Sequence, residues 1–274
     1  MTVVDARSLA ADLADEQAVL DAVVDQLGAA QWRLPTPSPG WTVADQIGHL
    51  TYFDGAATTA IEEPDRFVAE RDALLQQVLS GEAPMDDVTL GAYRMMTAEE
   101  LLAAWRENRR RLGEAAATLE DGTRVEWYGP SMSAKSFLTA RLMETWAHGQ
   151  DVVDTAVEAG VPAHRPPTDR LRHIAQLGVI TRGWSYVNRG LPMPEGDVRV
   201  ELEAPSGDTW SWGPEDAAAS VRGPAEDFCL VVTQRRHPHD TALVTTGEVA
   251  RDWLVHAQAF AGGATDGPPP RHPI

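Results

Sequence analysis

The run RLMETWAHGQD, Arg141–Asp151, places a carboxylate at Glu144, an imidazole at His148 and a second carboxylate at Asp151 in a segment that otherwise reads as a helix. At about 100° per residue these three fall within roughly 60° of one another, and Arg141 and Thr155 extend the stripe. Leu138, Leu142, Trp146 and Val153 take the opposite, inward side, while Ala140 and Ala147 leave space beside the polar stripe. Two readings fit. One is a solvated polar face with an i,i+4 Glu–His pair. The other is a pair of metal ligands presented one turn apart.

Outward from this run, Ser133 is placed to cap the helix and Gly160 to end it. Upstream, the loop DGTRVEWYGPSMS follows a long helix, TAEELLAAWRENRRRLGEAAATL, capped by Thr97. Before that, Thr42 with Asp45 three residues on resembles a capping box opening a helix through DQIGHLTYFDGAATTAI. Pro64 breaks it, and a shorter helix follows to about Ser80. The first stretch repeats Leu9, Leu13, Val19 or Leu20, Val23 and Leu27 at helical spacing up to Gly28, and the Pro/Gly-rich loop PTPSPGW follows. A further helix fits TDRLRHIAQLGVITRGWSYVNRG. The texture changes near Leu191. MPEGDVRVELEAPSGDTWSWG reads as a hairpin, ASVRG as a third strand, PAEDFCLVVTQRR as a helix, DTALVTTG as a short strand and EVARDWLVHAQAFAG as a last helix. The expectation is a mainly α protein, with a helical region over 1–190, a small α+β unit over 195–264 and a disordered tail over 265–274.

The chain has 274 residues, 41 acidic against 23 basic, for a formal net charge of -18. That balance argues against nucleic acid and anionic membrane as partners, since both want a basic face. An oligomer is compatible with it. Cys229 is the only cysteine, so no internal disulfide forms and a reducing compartment, the cytoplasm, is expected. No basic n-region with an apolar h-region opens the chain, and no run of about 18 apolar residues occurs.

His49 sits about two turns into the second helix, among Ile47, Leu50 and Phe53. Alone it reads as a core histidine. If the two helices face each other, His49, Glu144 and His148 form a two-histidine, one-carboxylate set, which suits zinc and, less selectively, nickel or iron(II). Three protein ligands leave a position open, the arrangement of a catalytic metal.

PTPSPGWTVADQIGHL, with Gly40, Trp41, Thr42, Val43, Asp45 and His49, resembles the N-terminal motif of the mycothiol-dependent maleylpyruvate isomerase family, within the wider DinB/YfiT-like metal-binding superfamily. Glu144, His148 and Asp151 match that family's second motif. WYGPSMSA, METWAHGQD and DFCLVVTQRRH resemble, more closely still, its uncharacterised actinobacterial-type metal-binding subgroup. The resemblance implies a DinB-like four-helix bundle holding zinc through His49, Glu144 and His148, followed by a small sterol-carrier-like α+β domain. It also implies a thiol such as mycothiol as cosubstrate, in transfer or isomerisation of a small substrate that can carry a carboxylate. A metal-dependent hydrolase or a non-catalytic metal- or ligand-binding protein are the alternatives. Asp151 is a candidate acceptor for the spare N–H of a ligand histidine, or a solvated surface group. Trp127 and Tyr128 either wall the thiol pocket or pack as ordinary aromatics. Arg236, more than Arg235, is the candidate cation for a substrate carboxylate, reaching the site from the C-terminal unit, or else a surface residue. Cys229, in FCLVV, reads as a buried structural cysteine and not a nucleophile. His237 and His239 read as a surface turn.

Overall fold

The structure, a computed structural model, describes residues 4–271. The chain divides into two units, Met1–Arg165 and Pro166–Ile274. The first is helical. It contains α1 (Ala6–Val24), α2 (Val43–Glu62), α3 (Pro64–Leu79), α4 (Met85–Arg94), α5 (Ala98–Ala116), a two-stranded ribbon of β1 (Arg124–Val125) and β2 (Met132–Ser133), and α6 (Ala134–Glu158). The α4 helix lies in a segment given no element by the sequence pattern. Helix α2 packs against α5 and α6, and α1 against α6 and α5. The four long helices thus enclose one core, in which Leu20, Val24, Ile47, Leu50, Leu101, Trp105, Val152 and Ala156 meet.

The start of α2 is fixed locally. Asp45 Oδ2 accepts from the Thr42 backbone N–H at 2.8 Å and from the Thr42 hydroxyl at 2.7 Å, while the Thr42 hydroxyl accepts from the Asp45 N–H. The capping box read from the sequence is therefore complete. Arg94 Nε then donates to Asp45 Oδ1 at 2.7 Å, tying the end of α4 to the beginning of α2. The segment before α2 is closed by Thr36, whose N–H and hydroxyl both donate to the Trp41 carbonyl oxygen, at 2.8 and 3.0 Å.

The second unit begins with α7 (Leu171–Ile180) and α8 (Arg182–Val187). It continues through β3 (Val198–Glu203), β4 (Thr209–Trp212), β5 (Ala219–Pro224), α9 (Ala225–Val232), β6 (Val244–Thr246) and α10 (Glu248–His256). The sheet is mixed, in the order β4-β3-β5-β6, with β3 antiparallel to β4, parallel to β5, and β5 antiparallel to β6. The boundary expected after residue 190 falls instead after Arg165. That arginine is held in the first unit, donating to the Trp146 carbonyl oxygen at 2.7 Å and to Gln150 Oε1 at 2.6 Å. Pro166 and Pro167 follow, and α7 packs on α9 so closely that a Cβ at Gly178 would meet Val232 at 2.8 Å. The single helix expected over 168–190 is two, parted at Thr181.

The α9 helix stops at Thr233. Gln234 takes a left-handed φ of 59°, the Arg235 N–H reaches back to Leu230 O at 2.7 Å, and the Gln234 N–H to Val231 O at 2.9 Å, a Schellman cap in which glutamine stands where glycine is usual. The tail expected to be disordered runs along this cap over its described part. The Gln234 amide donates to the Thr265 carbonyl oxygen at 2.7 Å, and the Arg271 N–H to Asp240 Oδ2 at 2.9 Å. Residues 272–274 lie outside the described residues.

Burial pushes the pKa of Asp45 up, but hydrogen bonds from Thr42 and Arg94 outweigh it and leave the carboxyl below its ordinary value. A lowered carboxyl contributes stability that is complete above about pH 4 and is lost as pH falls through the folded pKa. Asp45→Ala is therefore expected to cost about 1–2 kcal/mol at neutral pH. Urea melts of both proteins down the pH scale should show this difference shrinking below about pH 4.

Candidate metal centre

The α2 and α6 helices meet across a polar seam. Arg141, Asp151 and Thr155, which continue the Glu144–His148 stripe, are buried, so that stripe is an internal surface and the solvated-face reading falls. Asp54, fully buried on α2, accepts from Arg141 Nη2 at 2.8 Å and from Gln17 Nε2 of α1 at 3.0 Å. Burial raises the Asp54 pKa, and Arg141 opposes it. The Arg141 guanidinium also lies 5.9 Å from the Phe53 ring centroid.

His49 of α2 and Glu144 and His148 of α6 come together beside this seam. His49 Nε2 lies 3.2 Å and His148 Nε2 3.1 Å from the same oxygen, Glu144 Oε2. The three ligand atoms are within 4.8 Å of one another. A tetrahedral ion bound at about 2.0–2.1 Å sets its ligands about 3.3 Å apart, so the donor set and its spacing fit a zinc-like ion. The side chains of His49, Glu144 and His148 remain 17%, 24% and 12% exposed, which leaves one side of the cluster open to an incoming group. Burial pushes Glu144 up, but its contacts with His148 and His49 prevail and hold the carboxyl well below the usual range, ionised as a ligand must be.

Aromatic rings wall the cluster. Trp41 stacks on His148 at 5.6 Å with planes 15° apart and lies 5.2 Å from His49, while Phe53 lies 4.5 Å from His49. Tyr128 packs edge-on against Phe53 at 5.4 Å. Trp127 also lies against Phe53, at 6.2 Å, and is stacked on Phe67 at 5.4 Å and edge-on to Phe137. Burial, with the Tyr52 hydroxyl beside it, drives the Tyr128 phenol far above its ordinary pKa, so it stays protonated.

The spare nitrogen of His148 meets Gln46 of the facing helix. Gln46 Oε1 lies 2.5 Å from His148 Nδ1. Asp151, one turn further along α6, accepts from the Ser38 hydroxyl at 2.8 Å and so fastens the loop before α2. Gln46 escaped the sequence reading although Gln46, His49 and Phe53 share one helix face at i, i+3 and i+7, which is the signal that marks it. Asp54 was missed because nothing in the sequence pairs it with Arg141.

Arg236 lies in the second unit, on the turn after α9, where it donates to the Arg235 carbonyl oxygen at 2.7 Å and lines a cavity of about 350 Å³ with His237 and His256. Cys229 is buried against Leu171, and burial pushes its thiol well above the ordinary range, as a structural cysteine requires. His237 and His239 stack at 5.1 Å in the Pro238–Asp240 turn. The larger groove of the first unit, about 1090 Å³, includes none of the three ligand residues; of its arginines, Arg94 pairs with Asp45 and Arg106 with Asp21 and Asp25.

Fold and site together define a protein with a helical first unit and a mixed-sheet second unit, with a two-histidine, one-carboxylate cluster where two long helices of the first unit meet. The chain belongs to the mycothiol maleylpyruvate isomerase N-terminal domain family, which matches residues 13–153. A second family, wyosine base formation, matches residues 194–246. Uncharacterized proteins from two strains of Mycobacterium tuberculosis are 47% identical over 252 residues, which cover 92% of this chain and 95% of theirs. Two crystal structures of the mycothiol-dependent maleylpyruvate isomerase, one of a histidine-to-alanine mutant, share the fold with a TM-score of 0.57 at 16% identity, covering 89% of this chain and 95% of theirs.

Removing one member of a buried ion pair strands the other. Asp54→Ala is expected to destabilise the protein by about 3–5 kcal/mol. Chemical denaturation against the wild type measures it, and a loss below 1 kcal/mol removes the pair from its place in the seam.

Proposed function

We propose that this protein is a metal-dependent enzyme, with zinc the expected ion, that uses a low-molecular-weight thiol such as mycothiol in the transfer or isomerisation of a small substrate. The observation that carries the reading is the convergence of His49, Glu144 and His148 from two helices on one half-buried point, in a chain of this family. In this reading the helical region is a DinB-like four-helix bundle and the second unit is sterol-carrier-like. The lone buried Cys229 supports a reducing, cytoplasmic setting.

The three residues would hold the ion, which when bound acidifies a thiol or water that reaches it. The chain's own groups do the rest. Glu144 would offset one of the two charges of a divalent cation, leaving the other for an incoming anionic ligand. Trp41 and Phe53 shield the histidine rings from water and offer apolar faces to the carbon skeleton of a cosubstrate, with Tyr128 and Trp127 both packed behind Phe53. Arg236 is the candidate for binding a substrate carboxylate, on the strength of its planar guanidinium.

Elemental analysis of the purified protein is expected to find about one zinc-like ion per chain, lost in both His49→Ala and His148→Ala. A panel of low-molecular-weight thiols, screened with electrophilic and maleyl-type substrates, is expected to give metal-dependent turnover. Arg236→Lys should raise KM or lower kcat and leave metal content unchanged. A wild-type protein that takes up no divalent ion rules the proposal out.

A further inference from the structure

We infer that Gln46, held by Thr36, is the positioning residue that fixes the tautomer of His148 and so presents its Nε2 lone pair as a ligand. The inference rests on the metal reading above for its purpose, and on hydrogen-bond direction for its substance.

The chain of donors starts at a group that cannot be reversed. The Trp41 carbonyl oxygen only accepts, so the Thr36 hydroxyl, 3.0 Å away, donates to it. With its proton committed there, Thr36 Oγ1 accepts from its other neighbour, the Gln46 side chain at 2.9 Å. That neighbour must be the amide nitrogen, so Gln46 presents its oxygen to His148 Nδ1 at 2.5 Å. The amide orientation follows here from the network. Gln46 is fully buried, so no solvent competes for either end of its amide. An amide oxygen facing Nδ1 requires a proton on Nδ1. In the neutral ring that leaves the lone pair on Nε2, 3.1 Å from Glu144 Oε2. Two acceptors so placed repel each other unless a cation lies between them.

The same loop supplies a second constraint. Thr36 and Trp41 both belong to PTPSPGW; the Trp41 ring stacks on His148, and Ser38 fastens the loop to Asp151 on α6. Ring orientation and ring protonation of His148 are thus set from one short segment. A ligand histidine whose other nitrogen loses its partner typically costs about 10–100-fold in metal affinity.

Two measurements test the inference. The first is the tautomer of His148 in the metal-free protein at neutral pH, read from long-range proton–nitrogen correlation spectra and assigned with His148→Ala. A proton on Nδ1 is expected, in the neutral ring or in a doubly protonated ring that also donates to Glu144, and a neutral ring protonated at Nε2 alone overturns the inference. The second is zinc affinity by chelator competition. Gln46→Met keeps the volume and removes the acceptor; it is expected to lose about 10–100-fold in affinity and to shift the proton toward Nε2. Gln46→Glu restores an acceptor and should recover affinity to within a few-fold of wild type. Thr36→Val frees the amide to turn and should move both readouts in the direction of Gln46→Met, by less. It also serves if the buried methionine prevents folding. Unchanged tautomer and affinity in Thr36→Val and in folded Gln46→Met overturn the inference. A wild type that shows the Nδ1–H form but binds no zinc upholds the relay and sinks the metal reading instead.

Discussion

The ion pair between Asp54 and Arg141 is the contact on which the first unit turns. Both partners are almost wholly removed from water, at 0% and 3% side-chain exposure. Such a pair adds little net stability compared with a well-packed apolar contact, but it is intolerant of misalignment, because either charge left alone in the interior is costly. It therefore acts as a register pin. Asp54 lies five residues after His49 on α2, and Arg141 three before Glu144 on α6. A slip of either helix that spoiled the ligand cluster would break the pin as well.

Around that pin the interior is divided by chemistry. Toward one end lie the aliphatic and tryptophan contacts of Leu50, Leu101 and Trp105, which supply the non-directional part of folding. Beside the pin lie groups with direction: an imidazole that points, an amide that points back, and a carboxylate that faces both histidines. The aromatic rings of Trp41 and Phe53 join the two regions, each pressing on an imidazole. An apolar wall around a polar cluster lowers the local dielectric, which strengthens whatever charge interaction the cluster makes.

Much of this was legible in the sequence because it rests on local rules. The Thr42–Asp45 and Ser133 caps, the apolar spacing of α1, α5 and α6, and the turn at PSGD between β3 and β4 each follow from a few neighbouring residues. The meeting of His49 with Glu144 and His148 was legible because each lies on a recognisable face. What stayed hidden depends on partners far apart in the chain. Arg165 is held to the first unit by the Trp146 carbonyl oxygen, and neither residue announces the other. Gly178 fits α7 to α9 through a close approach that periodicity does not encode. Gln46 reaches His148 Nδ1 from another helix, a contact that helical spacing along α6 alone does not encode.

The loop ahead of α2 has one more consequence. Three of its first five residues, Pro35, Pro37 and Pro39, have φ confined by their own rings, and each also narrows the residue before it. Such a chain explores few conformations even when unfolded, so ordering it removes less freedom than ordering an ordinary loop of that length. Trp41 thus stands on a stiff arm, and a molecule arriving beside the two imidazoles meets a wall that has already been brought to rest.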